Sequence, residues 1–253
     1  MTTGSTETEV IDASNVYYRE LNNILRQKTT DGVHNITINN VFGQRYIGTN
    51  IKGQVSIEIN GTPGNDLGAF LNGPYITING NAQDGCGNTM NDGSITVYGH
   101  AGDTIGLAMR GGKIYVRDDV GYRAGIHMKE YGDKIPLLVI GGSAQDFLGE
   151  YMAGGTIVLL GLNLKQPGKH TSCFMGTGMH AGTIYLRGDI EDYQLGKEVG
   201  VTEPTPEEQI IIQGFIDEYQ AKFGTIKEAI SPTQFTKVFP RFARPYGRLY
   251  VPG

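Results

Sequence analysis

The chain contains few cysteines and no long apolar run, and these two absences already exclude several classes of protein. Its two cysteines, Cys86 and Cys173, lie far apart in 253 residues. This spacing excludes a disulfide framework and any four-cysteine cluster supplied by this chain alone, and it favours a reducing compartment. No apolar run reaches the roughly 20 residues of a membrane span. The first ten residues lack the basic and apolar regions of a signal peptide. We therefore expect a cytoplasmic protein without a membrane partner.

Positive charge is also scarce. The chain has 21 basic and 26 acidic residues and a formal net charge of −5, so it does not provide the basic surface that nucleic-acid binding requires. The C-terminal segment from residue 225 onward is the exception, because its only acid is Glu228. Its basic residues are Lys227, Lys237, Arg241, Arg244 and Arg248. We expect this basic, aromatic tail to dock, either on the body of the protein or on a partner.

Glycine, in contrast, is abundant: the chain has 38, which is about twice the average frequency. Five segments share a template in which a large apolar residue follows a glycine by three positions and an isoleucine follows it by eight. The template glycines are Gly68, Gly87, Gly106, Gly149 and Gly176. The apolar residues three positions later are Leu71, Met90, Met109, Met152 and Met179. A less regular copy begins at Gly48.

The spacing of these glycines predicts a β-solenoid. Gly68 to Gly87 and Gly87 to Gly106 are both 19 residues, and each template ends in a strand-like stretch such as ITVYG. A unit of this length suits one coil that pairs with the next at about 4.8 Å. The 43 residues from Gly106 to Gly149 are either two periods with an insertion or one long excursion. We predict an all-β fold, a single-stranded right-handed β-helix, with the methionines and isoleucines inside and the glycines at corners.

Both flanks predict helices that cap this solenoid. Residues 14–28 place Leu21 and Leu25 on one helical face, with Asp12 or Ser14 as a cap. Thr205-Pro-Glu-Glu208 is a capping box that begins a helix over 205–223. The predicted organisation is therefore an N-terminal segment with a capping helix over 1–31, a β-helix over 32–190, and a C-terminal helix with the basic tail over 191–253.

The sequence contains no combination of residues that predicts a catalytic, cofactor-binding or metal site. The histidines lack metal-ligand spacing, and the serine, cysteine and lysine nucleophiles have no visible base partner. The segment from Gly176 to Gly182 resembles a dinucleotide-binding loop, but strand-like residues follow it where that motif requires a helix. We predict that the chain contributes no catalytic residue, no cofactor-binding residue and no metal ligand.

Two segments that fall outside the template are dense in groups that make directional contacts: the charged segment after the third regular coil, and the basic tail. The charged segment is either a solvated excursion or an interface, and we expect both segments to stabilise an assembly rather than to perform chemistry. The candidate interface residues are Arg123, His127, Lys129, Glu130, Arg241, Arg244 and Arg248.

The repeated pattern G-x-x-M-x-x-G-x-I resembles the GXGXG β-helix domain, which closes the large subunit of glutamate synthase and also occurs in one of the subunits of formylmethanofuran dehydrogenase. The resemblance covers roughly residues 35–190. The segments DVGYRAGIHMKEYGDK and FMGTGMHAGTIYLRG, and the tail FTKVFPRFARPYGRLY, are similar to stand-alone versions in which glutamate synthase is divided into separately encoded subunits.

This resemblance implies a structural role in glutamate biosynthesis and nitrogen metabolism. In glutamate synthase the domain carries no catalytic residue, because the glutaminase nucleophile belongs to one other domain and the FMN and iron–sulfur cysteines to another. It implies a scaffold subunit whose partners are a glutamine amidotransferase subunit and an FMN-binding synthase subunit, with FMN and the iron–sulfur cluster in the partners. The alternatives are the GXGXG subunit of N-methylglutamate synthase or of formylmethanofuran dehydrogenase, an independent interaction scaffold, and an independent solenoid enzyme.

Overall fold

The structure is a computed structural model that describes residues 8–242. In this part of the chain, 11 strands form one sheet, accompanied by two α-helices and two short 3-10 helices. The strands are β1 (Glu9–Asp12), β2 (Asn35–Phe42), β3 (Ser56–Thr62), β4 (Asn72–Asn79), β5 (Asp92–Val97), β6 (Lys113–Val116), β7 (Leu137–Ile140), β8 (Ala153–Leu159), β9 (Ala181–Arg187), β10 (Val199–Thr202) and β11 (Phe235–Pro240). The helices are α1 (Tyr18–Thr30) and α2 (Pro206–Phe223), and the 3-10 helices are Asp192–Gln194 and Pro232–Gln234.

The chain forms the predicted β-solenoid. Strands β1 to β9 lie in the sheet in chain order, and each pairs in parallel with the next. Successive strands that pair in parallel need a connection that returns to the same end of the sheet, and the chain makes seven such turns between β2 and β9. The pairing aligns Ile76 with Ile95, and Ile95 with Ile114. The result is a ladder of identical residues inside the solenoid.

The template methionines and isoleucines form the core. Met90, Met109, Met152 and Met179 are fully buried, and the isoleucine that follows each is equally inaccessible. These side chains share one continuous cluster that runs the length of the solenoid. Burial of this apolar ladder is the main source of stability in a fold whose coils contact only their neighbours.

The long interval between Gly106 and Gly149 contains a further coil. Gly125 stands 19 residues after Gly106 and 24 before Gly149, and Met128 and β7 follow it in the template order. The interval is therefore two periods with an insertion, and the insertion lies between Met128 and β7. Leu138 replaces isoleucine in this coil, which hides the repeat in the sequence.

At the N-terminus, α1 begins at Tyr18 rather than at residue 14, and neither Asp12 nor Ser14 caps it. The Asp12 carboxylate instead accepts hydrogen bonds from the Ser14 amide (2.9 Å) and hydroxyl (2.7 Å), which holds a turn between β1 and α1. Leu21 and Leu25 of α1 are fully buried in the solenoid cluster. The helix therefore covers the first coil, as predicted.

At the C-terminus, α2 begins at the predicted capping box, in which the Thr205 and Glu208 side chains each accept a hydrogen bond from the other residue's amide. The helix lies along the outer face of the sheet, against outward-facing residues of β6 to β9, rather than over the end of the solenoid. The last coil is closed instead by β10 and β11, which contribute Val199 and Val238 to the solenoid cluster. Strands from all three predicted segments thus join one sheet.

Candidate functional site

Each coil turns a corner through three residues at alternate positions that all have the left-handed backbone conformation. The central residue of the three is always glycine, whereas the two flanking positions mostly hold larger residues. The seven triplets are Tyr46, Gly48, Asn50; Asp66, Gly68, Phe70; Gly85, Gly87, Thr89; Thr104, Gly106, Ala108; Arg123, Gly125, His127; Phe147, Gly149, Tyr151; and Phe174, Gly176, Gly178.

The central position requires glycine because it faces the core. A Cβ atom at Gly87 would lie 2.3 Å from Cδ1 of Ile114, and one at Gly125 would lie 2.5 Å from Cδ1 of Ile157. The φ angles of these glycines are +73° and +71°, which L-residues with a Cβ adopt only at a cost. Close packing and backbone conformation together exclude other residues at six of the seven corners, whereas at Gly106, where a Cβ would meet nothing closer than 3.9 Å, the backbone conformation acts alone.

The flanking positions lie outside the core and stack from coil to coil into two columns, which we call the turn columns. The backbone fixes them between coils: the amide of Gly125 donates to the Ile105 carbonyl of the preceding coil (2.8 Å), while that of His127 donates to the Glu150 carbonyl of the following coil (2.9 Å). Adjacent side chains in a column are therefore held at the spacing of the sheet.

Arg123, His127, Phe147, Tyr151 and Phe174 form a cluster on the turn columns of the last three coils, which we call the turn patch. The Phe147 and Phe174 rings stack with centroids 5.0 Å apart, and those of His127 and Tyr151 stack at 5.3 Å. Tyr151 is 47% and Phe174 48% exposed. The patch is thus ordered by its own stacking and still open to solvent.

An ion pair anchors the cationic side of the turn patch. Arg123 Nε lies 3.2 Å from Glu150 Oε2, and the Arg123 guanidinium carbon lies 5.4 Å from the centroid of the Phe147 ring. The Glu150 side chain is only 9% exposed, whereas that of Arg123 is 52% exposed. Within residues 8–242, Glu150 Oε2 has no partner with hydrogen-bond geometry. The guanidinium is therefore positioned over an aromatic ring with donors still open to solvent.

Large residues in the turn patch are costly for the fold. Each of the five is left-handed, with φ between 53° and 67°, and a bulky L-residue in this conformation costs roughly 1–2 kcal/mol relative to glycine. Nothing in the core requires these side chains. Strained residues of this kind cluster at functional sites, and Arg together with aromatic residues is the composition of interface centres.

The structure places the predicted interface residues at three locations. Arg123 and His127 belong to the turn patch, whereas Lys129 and Glu130 begin the insertion of the same coil. The Lys129 amide donates to the Met109 carbonyl (2.9 Å), and Glu130 Oε1 accepts from the Gly155 amide (3.0 Å). Our premise that these residues lie outside the repeat is wrong for Arg123 and His127, which flank Gly125 at the corner of a coil, whereas Lys129 and Glu130 lie where the insertion of that coil begins. Hydrogen bonds to neighbouring coils explain the positions of the Lys129 backbone and the Glu130 side chain.

The start of the basic tail reaches the same corner of the solenoid. The Arg241 amide donates to the Glu198 carbonyl (2.8 Å), and Glu198 Oε2 accepts from the amide of Gly178, which ends one turn column (3.0 Å). A Cβ at Gly178 would lie 2.3 Å from the Tyr151 ring. Arg241 is therefore linked through Glu198 and Gly178 to the turn patch. Arg244 and Arg248 lie outside the described residues.

Sequence reasoning missed Phe147, Tyr151, Phe174 and Glu150. The first three stand two residues before or after a template glycine, and this spacing was the available signal. Glu150 follows a template glycine directly, and its burial is a property of the folded coil that no sequence pattern indicates.

Two side chains of types that carry out thiol or acid–base chemistry, Cys86 and His170, are buried. Cys86 lies in the solenoid core, where burial raises the pKa of its thiol to about 12, so the thiolate is not accessible at neutral pH. His170 is buried with Nε2 2.9 Å from the Arg187 carbonyl oxygen, and burial lowers its pKa. From residue 8 to residue 242, no group of three or more His, Cys, Asp or Glu residues could hold a metal ion. In the same range, no helix is both long and apolar enough to span a membrane.

The sequence of the chain matches a known protein family. The family profile of the GXGXG motif matches residues 12–245. The chain belongs to the GXGXG motif family. At each of the seven corners in the described residues, three alternate positions are left-handed, and only the central one is glycine every time. The geometry above explains why: the central position faces the core and the outer two do not.

Two similar proteins match most of the length of this GXGXG protein. It is 48% identical over 254 residues to an uncharacterised protein of Methanocaldococcus jannaschii, and the match covers 97% of each chain. Among solved structures it is similar to a chain of the formyltransferase/hydrolase complex from Methylorubrum extorquens, which was crystallised with methylofuran. That match has a TM-score of 0.54 and 17% identity over 85% of this chain and 86% of the other. At this identity the likeness shows a shared fold.

Proposed function

We propose that this chain is a non-catalytic scaffold subunit of a multi-subunit complex of the glutamate-synthase type. The complex makes glutamate from 2-oxoglutarate and glutamine-derived ammonia. A glutamine amidotransferase subunit and an FMN-binding synthase subunit are the partners, and they contribute FMN and the iron–sulfur cluster. The GXGXG chain contributes no cofactor and holds the two reaction centres in place in the cytoplasm.

The turn patch is the observation that carries this proposal. It places an arginine, a histidine and three aromatic side chains in a backbone conformation that favours glycine, on a surface that the fold leaves open. Burial of these side chains against a partner contributes binding free energy that exceeds the free-energy cost of their left-handed backbone.

The solenoid itself suits the scaffold role. Its coils are cross-linked by backbone hydrogen bonds at every corner, so sites on different coils keep a fixed separation. Transfer of ammonia between two active sites requires fixed geometry, because a diffusing intermediate escapes when the sites separate.

A second candidate is the GXGXG subunit of N-methylglutamate synthase or of formylmethanofuran dehydrogenase. The fold likeness to a chain of a formyltransferase/hydrolase complex favours the second of these. In both cases the chain remains part of a larger complex and the turn patch remains the contact surface, while the substrates differ. An independent interaction scaffold would bear the same patch without a metabolic partner.

Isolation of the native complex tests the proposal. We expect a tagged chain to co-purify from its own cells with an amidotransferase subunit and a flavin- and iron–sulfur-binding subunit, identified by mass spectrometry. The chain purified alone should be colourless. Formyltransferase or hydrolase subunits would favour the second candidate. A stoichiometric flavin or cluster spectrum from the isolated chain would contradict the scaffold role.

A further inference from the structure

A groove of about 750 Å³ lies on the outer face of the sheet, where the C-terminal half of α2 leaves β4 and β5 uncovered. Its floor contains Tyr75, Ser94 and Lys113, which are aligned across three neighbouring strands. Lys222 of α2 forms one wall, and Ile135 of the insertion in the Gly125 coil forms another. The volume falls within the range of small-molecule sites.

Two of the three lysines in this groove are already paired. Lys113 Nζ lies 2.8 Å from Glu218 Oε1, and Lys134 Nζ lies 3.2 Å from Asp92 Oδ2. These two pairs account for both carboxylates that line the groove. The groove therefore carries one excess positive charge in a chain whose net charge is −5.

Lys222 is the remaining cation. Its Nζ lies 4.6 Å from the centroid of the Tyr115 ring, and no carboxylate of residues 8–242 lies within salt-bridge distance. Burial lowers its pKa more than the nearby Glu218 carboxylate raises it, because a partly desolvated ammonium is unfavourable when the nearest anion is already paired with Lys113. An anion in the groove would remove this penalty.

Ser94 provides a second, independent observation. It is 9% exposed, and its Oγ is buried without a hydrogen-bond partner among the described residues. Buried hydroxyl groups are normally hydrogen-bonded. The Ser94 hydroxyl, on the floor of the groove, lacks an acceptor, and an anionic oxygen of a ligand would supply one. Nearby, Tyr75 is 52% and Ile135 62% exposed, which gives the groove an apolar side.

We propose that this groove binds an organic anion, with a carboxylate or phosphate group at Lys222 and Ser94 and an apolar body against Tyr75 and Ile135. Binding here is independent of the scaffold role, because the groove lies on the sheet face beside α2 and shares no residue with the turn patch.

Calorimetric titration of the full chain with phenyl phosphate, benzoate and inorganic phosphate tests this site. We expect saturable binding of phenyl phosphate or benzoate, whichever carries the preferred head group, and weaker binding of inorganic phosphate. Lys222→Met keeps the apolar stem and should weaken binding about tenfold or more, which corresponds to the loss of a charged hydrogen bond. Tyr75→Ala should weaken only the probes with a ring.

Two further variants separate this site from general charge effects. Lys165→Met, at an exposed position in the loop after β8, should bind as the wild type does. Ser94→Ala should weaken binding without changing net charge, and it tests the groove if Lys222→Met does not fold. The proposal is overturned if neither ring-bearing probe binds saturably at millimolar concentration, or if Lys222→Met and Ser94→Ala both bind as tightly as Lys165→Met.

Discussion

The inner and outer sides of each solenoid corner share one backbone conformation and carry opposite kinds of residue. Gly87 and Gly125, on the inner side, have no room for a methyl group. Tyr151 and Phe174, on the outer side, are equally left-handed and carry large rings that are half exposed. Folding accounts for the inner residues completely. The large residues on the outer side destabilise the fold through their left-handed backbone. We therefore infer that these outer residues serve a function other than folding.

The largest expected effect comes from a charge on the inner side. Met109→Asp places a carboxylate in the fully buried ladder and should lower the free energy of unfolding by about 3–5 kcal/mol, as measured by urea denaturation. Arg110→Asp, at the adjacent exposed position, should change it by less than about 0.5 kcal/mol. Equal stability of the two variants would show that the assigned register is wrong.

Two alanine substitutions separate backbone strain from lack of space. Gly87→Ala combines a φ of +73° with a Cβ 2.3 Å from Ile114 Cδ1, whereas at Gly106, with a φ of +70°, the nearest atoms to a Cβ are 3.9 Å away. We expect a loss of about 3 kcal/mol for Gly87→Ala and about 1–2 kcal/mol for Gly106→Ala.

The clash at Gly87 has a specific rescue. Ile114→Val removes Cδ1, the atom that the new methyl group would meet, so it should restore more than about 1 kcal/mol when combined with Gly87→Ala. A double-mutant cycle by urea denaturation measures this coupling. Additive effects would mean that strain alone excludes alanine and that the tight inner packing is irrelevant.

The smallest expected effect is a change in pH dependence. Burial lowers the pKa of His170 in the folded state, so the unfolded chain binds a proton more readily near pH 6.5. Stability contributed by neutral His170 is therefore complete above the unfolded pKa and falls as the pH drops below it. His170→Asn should flatten the decline of the melting temperature between about pH 7 and pH 5. An unchanged slope would show that another group is responsible.

Much of the fold could be predicted from the sequence because the repeat constrains it locally. Glycine spacing, the methionine ladder and the Thr205 capping box each have a direct structural meaning, and the structure agrees with all three. The coil at Gly125 stayed one of two alternatives, because the insertion before β7 and the replacement of isoleucine by Leu138 interrupt the pattern. The position of α2 along the sheet face could not be predicted, because it depends on outward-facing residues of four strands that are distant in sequence.

The turn patch was only half predictable. Arg123 and His127 were conspicuous as charged residues, although for the wrong reason, since they belong to a regular coil. Phe147 and Phe174 look like core residues in the sequence. Only their left-handed backbone and their partial exposure distinguish them from the neighbouring buried Leu148 and Met175.

The most direct test of the account compares stability and association in one variant. Phe147→Gly/Phe174→Gly removes two rings of the turn patch from positions that favour glycine. We predict a free energy of unfolding within about 1 kcal/mol of the wild type, together with loss of the native partners on co-purification. Phe42→Ala, a 90% exposed aromatic outside the turn columns, should keep those partners. A double variant that retains its partners, or one that unfolds, would contradict the claim that the outer side of the corners serves assembly rather than folding.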